Sequence, residues 1–219
     1  MIAYDIRGHG NSDDGVDNFS IDLFVNDLLS LMDTLKIDKA ILCGFSMGGY
    51  IALNAIENYP ERFNALILCD TNCTEDKPEA KEKRMKIIES VNKKGLEQYA
   101  EVSLKKLFAP ISFSKHIEEI AIVKRMIMKT SKQSIYKTLH ALTERKETCT
   151  KLHAIKVPVL IMVGKEDEIT PPDVALTMHE EIKGSIIHII DHAGHLCNME
   201  NSKEFNNQLS GFLLFIKHP

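Results

Sequence analysis

The stretch AILCGFSMGGYIALNAI, residues 40–56, decides the fold of this chain. It begins with an apolar run of strand length and ends with a helical pattern, and Gly44, Ser46 and Gly48 lie between them in the order Gly-x-Ser-x-Gly. A serine at the apex of such a turn adopts strained backbone angles, and small neighbours permit this because they let strand and helix approach closely. The pattern predicts an exposed Ser46 hydroxyl beside the N–H of Met47, which points to where an oxyanion would form.

A serine hydroxyl is a weak nucleophile at neutral pH, so this interpretation requires a histidine base and an acid that orients the histidine. Among nine histidines, His195 lies in the loop DHAGHLCNME, directly after the apolar run SIIHII. His192 lies in the same loop, and loop position alone does not separate the two. His188 is inside the apolar run and is expected to be packed. The alternative to the whole interpretation is a glycine-rich helix start at which Ser46 only caps the helix.

Four carboxylates are candidates for the acid. Glu166, Asp167 and Glu168 directly follow the apolar run VPVLIMVG, and Asp70 follows the run ALILC. Functional sites of open parallel sheets collect at the carboxyl ends of the strands, so each of the four could reach the histidine. Residue order within the loops leaves the choice open.

Short apolar runs without polar alternation predict a parallel sheet covered on both faces. The runs are MIAY (1–4), AILCG (40–44), ALILC (65–69), VPVLIMVG (157–164) and SIIHII (185–190). Helical patterns separate most of them. One covers residues 20–35 with Ser20 as the N-cap, and a second covers residues 47–58 and ends at Tyr59-Pro60. These patterns predict the α/β class.

Residues 74–150 have a different composition, rich in Lys and Glu and without a strand-like run. We call them the helical insertion, and predict that they form a lid between two core segments: residues 1–73 with the nucleophile turn, and residues 151–219 with the acid and histidine loops. Helices are predicted at 78–92, 95–108, 113–129 and 131–146, with breaks at Gly95 and Pro110. Their apolar stripes are expected to pack on one another, with the alternative that some side chains line a pocket.

Composition excludes several classes of function. The chain has 219 residues, enough for one globular core, and its net charge of −4 arises from acids and bases mixed along the sequence. Without a polybasic block, neither nucleic acid nor an anionic membrane is an expected partner. Five irregularly spaced cysteines predict free thiols in a reduced, intracellular protein. No leader pattern or long apolar window is present, so a cytoplasmic location is expected.

Four segments, DIRGHGNS, GFSMGG, VPVLIMVGKEDEITPP and AGHLCNME, together resemble the α/β-hydrolase superfamily, in its lid-bearing branch of 3-oxoadipate enol-lactonases and small carboxylesterases. The resemblance covers most of the chain. It implies that Ser46 is the nucleophile, Asp167 the acid, His195 the base and Met47 one oxyanion donor. It also rejects His192, because the catalytic histidine of the family stands in the Gly-His pair. Dehalogenase and epoxide hydrolase relatives resemble this fold but have an aspartate at this position of the turn, so the serine argues against those two classes.

The sequence departs from the family at its beginning. Family members have three further strands before the segment DIRGHG, and a His-Gly loop after the third donates a second oxyanion N–H. The resemblance therefore implies an N-terminally incomplete fold, with a gap in the sheet beside the strand at 40–44. The gap would be explained by a fragment of a longer protein, by re-pairing of the early strand, or by another chain. Loss of one oxyanion donor lowers turnover roughly 100- to 1000-fold. His9 is expected to be structural.

These observations predict a serine hydrolase that cleaves a small carboxylic ester, lactone or thioester with an apolar part. The alternatives are a carbon–carbon bond hydrolase or lyase using the same three residues, and a catalytically weak truncated paralogue. No motif calls for a metal or cofactor, and a homo-oligomer is left open.

Overall fold

The computed structural model describes residues 1–217. Four strands form one sheet in the order β1-β2-β3-β4, and every neighbouring pair is parallel. The strands are β1 (Ala40–Phe45), β2 (Phe63–Cys69), β3 (Val159–Gly164) and β4 (Ile186–Ile190). All four coincide with apolar runs of the sequence, so the predicted α/β class is confirmed.

Helices cover both faces of this sheet. Outside the helical insertion they are α1 (Ile21–Thr34), α2 (Met47–Asn58), α7 (Pro172–Glu181), α8 (Cys197–Glu200) and α9 (Ser202–Lys217). The predicted α1 and α2 are confirmed, and the Ser20 hydroxyl oxygen caps α1 by accepting from the Leu23 N–H at 3.0 Å. Within residues 1–217, no helix combines the length and the apolar character needed to cross a membrane.

The core lies on both sides of the sheet, which explains why the strands show no polar alternation. Leu66 and Leu68 of β2 pack in one cluster with α1, α2 and α7, while Ile67 packs in a second cluster with Phe212 of α9. All six residues of β3 are buried because β3 has strands on both edges and helices on both faces. The carboxyl ends of β1, β2 and β3 therefore meet at one rim, beneath the loops that carry polar side chains.

The helical insertion contains α3 (Pro78–Leu107), α4 (Ser112–Lys115), α5 (Ile117–Lys129) and α6 (Lys132–Glu144). The break predicted at Gly95 is a kink inside α3, where this glycine has a φ of 84°. The helix predicted over 113–129 is instead divided between α4 and α5 at His116, whose φ of −122° and ψ of 45° are not helical. Ile88 and Val91 of α3 pack against Ile135 and Leu139 of α6, as the apolar stripes predicted.

The strand predicted at residues 1–4 is wrong. These residues have no regular secondary structure, and Met1 and Ile2 are exposed. An apolar run forms a strand only where another strand accepts and donates its backbone hydrogen bonds. Within residues 1–217, β1 is an edge strand that pairs with β2 alone, so residues 1–4 have no paired neighbour.

The prediction that all five cysteines are free thiols is also wrong. Cys73, just after β2, and Cys149, at the end of the helical insertion, form a disulfide with a Cα–Cα distance of 4.9 Å. Cys43, Cys69 and Cys197 are free. Sequence spacing did not reveal the bond because its partners are 76 residues apart and meet only where the insertion returns to the core.

Removal of this disulfide is expected to destabilise the fold, because it closes a long loop in the unfolded chain. We expect the double variant Cys73→Ser/Cys149→Ser to lose about 2–4 kcal/mol of unfolding free energy, measured by urea denaturation. Cys43→Ser is the matched control and should leave the midpoint unchanged. Equal midpoints for the double variant and the wild type, under non-reducing conditions, would contradict the bond.

Candidate active site

The turn between β1 and α2 holds Ser46 in a strained conformation, with φ 49° and ψ −112°. Such angles cost a non-glycine residue on the order of 1–3 kcal/mol. Two hydrogen bonds hold the residue there: its N–H donates to the Cys69 carbonyl at 2.9 Å, and the Thr71 hydroxyl donates to its carbonyl at 2.8 Å. A Cβ on Gly44 would lie 2.2 Å from the Gly48 carbonyl oxygen, so only glycine allows this approach of strand and helix.

Met47 is the first residue of α2. The first N–H groups of a helix have no acceptor within that helix, and they carry its partial positive charge. The Met47 N–H, directly after Ser46, is therefore a donor without an acceptor inside α2.

His195 lies between Ser46 and Asp167. Its Nε2 is 2.8 Å from Ser46 Oγ, and its Nδ1 is 2.8 Å from Asp167 Oδ2. An ionised carboxylate can only accept, so Nδ1 carries the proton and donates it, and the neutral Nε2 accepts from the Ser46 hydroxyl. The imidazole is 2% exposed, and the Phe45 ring lies with its centroid 5.3 Å away. The structure thus brings the three residues together in one hydrogen-bonded chain.

Asp167 is buried and accepts four hydrogen bonds. Its Oδ1 accepts from the N–H groups of Ile169 and Thr170, and its Oδ2 accepts from the Thr170 hydroxyl and from His195. Burial raises the pKa of this carboxyl, but the hydrogen bonds from His195 and Thr170 outweigh burial and leave the pKa below its ordinary value. Asp167 is therefore ionised near neutral pH and fixes the orientation of the imidazole.

The other candidate residues do not join the hydrogen bonds that connect Ser46, His195 and Asp167. Glu166 and Glu168 are exposed, and so is His192. His188 is half-buried on β4. His9 packs in the turn after residue 6, where its Nδ1 lies 3.0 Å from the Arg7 carbonyl.

Asp70, the competing acid, is buried directly behind the site. Its Oδ1 accepts from the Gly164 N–H and its Oδ2 from the Cys197 thiol, both at 2.8 Å. Burial raises the pKa of Asp70 to about 7, against the opposing effect of these two hydrogen bonds. Donor atoms of Asp70, Asp167 and His195 lie within 4.8 Å of one another, an arrangement that could hold a metal ion. Protein hydrogen bonds account for the contacts of all three, and His195 bonds to Asp167 rather than to Asp70.

The raised pKa of Asp70 makes stability depend on pH. In the unfolded chain an aspartate titrates near pH 4, so between about pH 4 and 7 the folded state binds a proton that the unfolded state has lost. The unfolding free energy should therefore fall by up to about 4 kcal/mol as the pH rises through this window. Asp70→Asn should lack this fall, measured by urea denaturation at pH 4.5, 6 and 7.5.

Asp38→Asn, at an exposed position, is the control and should keep the pH dependence of the wild type. An unchanged pH dependence in Asp70→Asn would show that Asp70 is ionised throughout the window.

The surroundings of the site are apolar on the side of the helical insertion. Leu196, next to His195, packs with Leu104, Phe108 and Val123, and Phe45 packs against the same cluster. A separate cleft between α1, α2 and α6 has a volume of about 70 Å³. Ser46, His195 and Asp167 are not among the residues that line it. That volume holds a few water molecules and is too small for an organic substrate.

The parallel sheet, the serine on a strained strand-to-helix turn, and the histidine and carboxylate at strand ends together define an α/β-hydrolase. A family model agrees: Hydrolase_4, described as serine aminopeptidase, S33, matches residues 1–202. The chain belongs to this α/β-hydrolase family, which confirms the resemblance seen in the sequence and its hydrolase class.

Individual relatives are named for different hydrolytic reactions. The 3-oxoadipate enol-lactonase 2 of Acinetobacter baylyi is 28% identical over 213 residues, which are 97% of this chain and 78% of that protein. The 2-hydroxy-6-oxononadienedioate/2-hydroxy-6-oxononatrienedioate hydrolase of Paraburkholderia phymatum is 26% identical over 218 residues, or 97% and 76%. A thermophilic esterase from Thermogutta terrifontis, solved with malate bound, has a TM-score of 0.92 at 32% identity, covering 97% of this chain and 78% of that chain.

Sequence reasoning missed two buried residues around the site. Thr170 donates to Asp167, and Glu200 accepts from the backbone on both sides of His195. Thr170 lies three residues after Asp167 in an Asp-x-x-Thr spacing that suits a local side-chain turn, which was a usable signal. Glu200 stands in the quoted segment AGHLCNME, but nothing local distinguishes a buried glutamate from a solvated one.

Proposed function

We propose that this protein is a serine hydrolase that cleaves a small carboxylic ester, lactone or thioester through an acyl-enzyme, with Ser46 as nucleophile, His195 as base and Asp167 as acid. One observation carries the proposal: the Ser46 hydroxyl, on a strained turn at a helix N-terminus, lies 2.8 Å from the acceptor nitrogen of an imidazole that Asp167 orients. The names of the enol-lactonase and esterase relatives support the choice of substrate class.

In the first half of the reaction, His195 Nε2 takes the Ser46 proton as Oγ attacks the substrate carbonyl carbon. The negative charge that develops on the carbonyl oxygen is stabilised by the Met47 N–H and the N-terminus of α2. Asp167 stabilises the imidazolium without taking its proton. His195 then gives the proton to the leaving oxygen or sulfur, and the acyl group remains on Ser46.

In the second half, His195 takes a proton from a water molecule as the water oxygen attacks the acyl carbon. The bond between that carbon and Ser46 Oγ then breaks, His195 returns the proton to Oγ, and the carboxylic acid is released. The apolar side chains around the site are matched to a substrate with an apolar part. Phe45 and Leu196 flank the histidine, and Phe108 of the helical insertion packs on the same side.

The test combines covalent labelling with turnover. A fluorophosphonate probe should label Ser46, located by peptide mass spectrometry, and the chain should hydrolyse p-nitrophenyl esters and small lactones. Absence of label on a folded sample would contradict the proposal. Labelling without turnover would favour the catalytically weak paralogue instead.

Carbon–carbon bond hydrolysis or a related lyase reaction by the same residues is the second candidate, and the relative from Paraburkholderia phymatum favours it. The discriminating substrate is a vinylogous 1,5-diketone, compared with p-nitrophenyl esters under identical conditions. A kcat/KM for the diketone at least tenfold above that for every ester would favour this candidate. Comparable ester turnover would count against it.

A further inference from the structure

Glu200, the last residue of α8, is 5% exposed and forms no ion pair with any cationic side chain in residues 1–217. Burial of a carboxylate is costly unless hydrogen bonds satisfy its oxygens. Glu200 accepts four of them, and their donors come from two separate parts of the molecule.

The first oxygen binds the loop that carries His195. Glu200 Oε1 accepts from the Gly194 N–H at 2.8 Å and from the Leu196 N–H at 3.3 Å. These are the residues immediately before and after His195, so one carboxylate oxygen restrains the backbone on both sides of the base. None of these bonds involves the imidazole itself.

The second oxygen binds the helical insertion. Glu200 Oε2 accepts from the Ala109 N–H at 2.7 Å and from the Ser112 hydroxyl at 2.6 Å. Ser112 is fully buried, and Ala109 is 1% exposed. A single side chain therefore connects the segment 108–112 of the insertion to the histidine loop, across a sequence distance of about ninety residues.

The histidine loop and segment 108–112 are also closely packed against each other. A Cβ on Gly194 would lie 2.6 Å from the Ala109 nitrogen, so the histidine loop and the insertion touch backbone to backbone. Leu196 packs with Phe108 in the apolar cluster described above. A displacement of segment 108–112 must therefore move the loop that carries His195, or break its bonds to Glu200.

We propose that Glu200 is a positioning residue that couples segment 108–112 of the helical insertion to His195. It sets the position of Nε2 relative to Ser46 Oγ, and substrate that contacts the insertion acts on the base through the two Glu200 oxygens. This inference rests on the proposed function for its kinetic consequences, but the coupling itself is a property of the fold.

Glu200→Gln tests the proposal. The amide has the shape of the carboxylate, but its NH₂ group would face two of the four donors. We expect kcat for p-nitrophenyl acetate to fall about 10- to 100-fold with KM changed less than threefold, because displacement of a catalytic group by about 1 Å costs up to about 100-fold. Glu180→Gln, at an exposed position of α7, is the matched control and should match the wild type.

Two further measurements separate positioning from a loss of fold. The NMR signal of the His195 Nδ1 proton should shift in Glu200→Gln, and the amide protons of Gly194 and Leu196 should exchange faster while those of β3 do not. Ser112→Ala removes only a bond on the insertion side, and it should shift the same histidine signal and lower kcat about threefold to tenfold. The effect of Ser112→Ala on kcat and on the histidine signal should disappear when it is combined with Glu200→Gln.

An unchanged histidine signal and unchanged kcat in both folded variants would overturn the proposal, as would independent, additive effects of the two substitutions. If Glu200→Gln does not fold, the histidine signal and kcat of Ser112→Ala decide the question in the same way. If the wild type is inert towards esters and the probe, the proposed function fails, and the NMR and exchange measurements alone decide the coupling.

Discussion

Replacement of Ser46 by alanine is expected to lower kcat for ester hydrolysis by about 10⁴- to 10⁶-fold, because the acyl-enzyme cannot form without the hydroxyl. Stability should change little, since alanine meets the same backbone strain at φ 49°. The measurement is kcat for p-nitrophenyl acetate, with the thermal midpoint recorded on the same sample. Ser30→Ala, at an exposed position of α1, controls for handling and should retain full activity.

The same Ser46→Ala sample should also lose the fluorophosphonate label. A variant that keeps its kcat within tenfold of the wild type would remove Ser46 from the proposed mechanism. A wild-type sample labelled at another serine and not at Ser46 would do the same.

Replacement of His195 by glutamine is expected to cause a loss of similar size, about 10⁴- to 10⁶-fold in kcat, because glutamine cannot take up the Ser46 proton. His192→Gln is a close control: it changes an exposed histidine of the same loop, and kcat should stay within about twofold, as for surface changes away from a site. Both variants are compared by kcat and by the rate of fluorophosphonate labelling.

The two losses should not add. The double variant Ser46→Ala/His195→Gln is expected to be no slower than Ser46→Ala alone, because the base acts only through the nucleophile. Equal losses in His195→Gln and His192→Gln would indicate damage to the loop rather than loss of a base, and a larger loss in His192→Gln would reverse the assignment.

Glu200 links the helical insertion to the loop that carries His195, and the insertion's helices alone do not reveal this contact. The apolar stripes of α3 and α6 pack on each other, which stabilises the insertion as a unit. The short segment 108–112 of the insertion donates to Glu200, and Glu200 in turn accepts from the histidine loop. The disulfide between Cys73 and Cys149 joins the two ends of the insertion near the core.

Several elements were predictable because their signals are local. The strand-to-helix turn at Ser46 follows from glycines and a serine within five residues, and α1 follows from its apolar period and from Ser20 at its start. The buried strands β2 and β3 are continuous apolar runs, since helices cover both faces of the sheet. Patterns of this kind record how each segment is buried, and that is what residue spacing encodes.

Other predictions failed because their outcome depends on a partner far away in sequence. The apolar residues 1–4 satisfied the pattern of a strand, yet no strand of the described chain pairs with them. The cysteines suggested free thiols, yet Cys73 and Cys149 meet across 76 residues. In both cases the residue types agree with the prediction. Whether a partner lies close enough to pair with them is decided only in the folded chain.

The candidate site shows the same division. The residues by themselves placed Ser46 on a strand-to-helix turn and left two histidines as candidates for the base and four carboxylates as candidates for the acid. The family resemblance then selected His195 and Asp167 among them. The tertiary structure brought His195 to 2.8 Å from Ser46 across 149 residues, bound it to Asp167, and placed Asp70 behind the pair on Gly164 and Cys197. Residue order specifies burial and local geometry, whereas hydrogen bonds between loops depend on which strand ends the parallel sheet brings side by side.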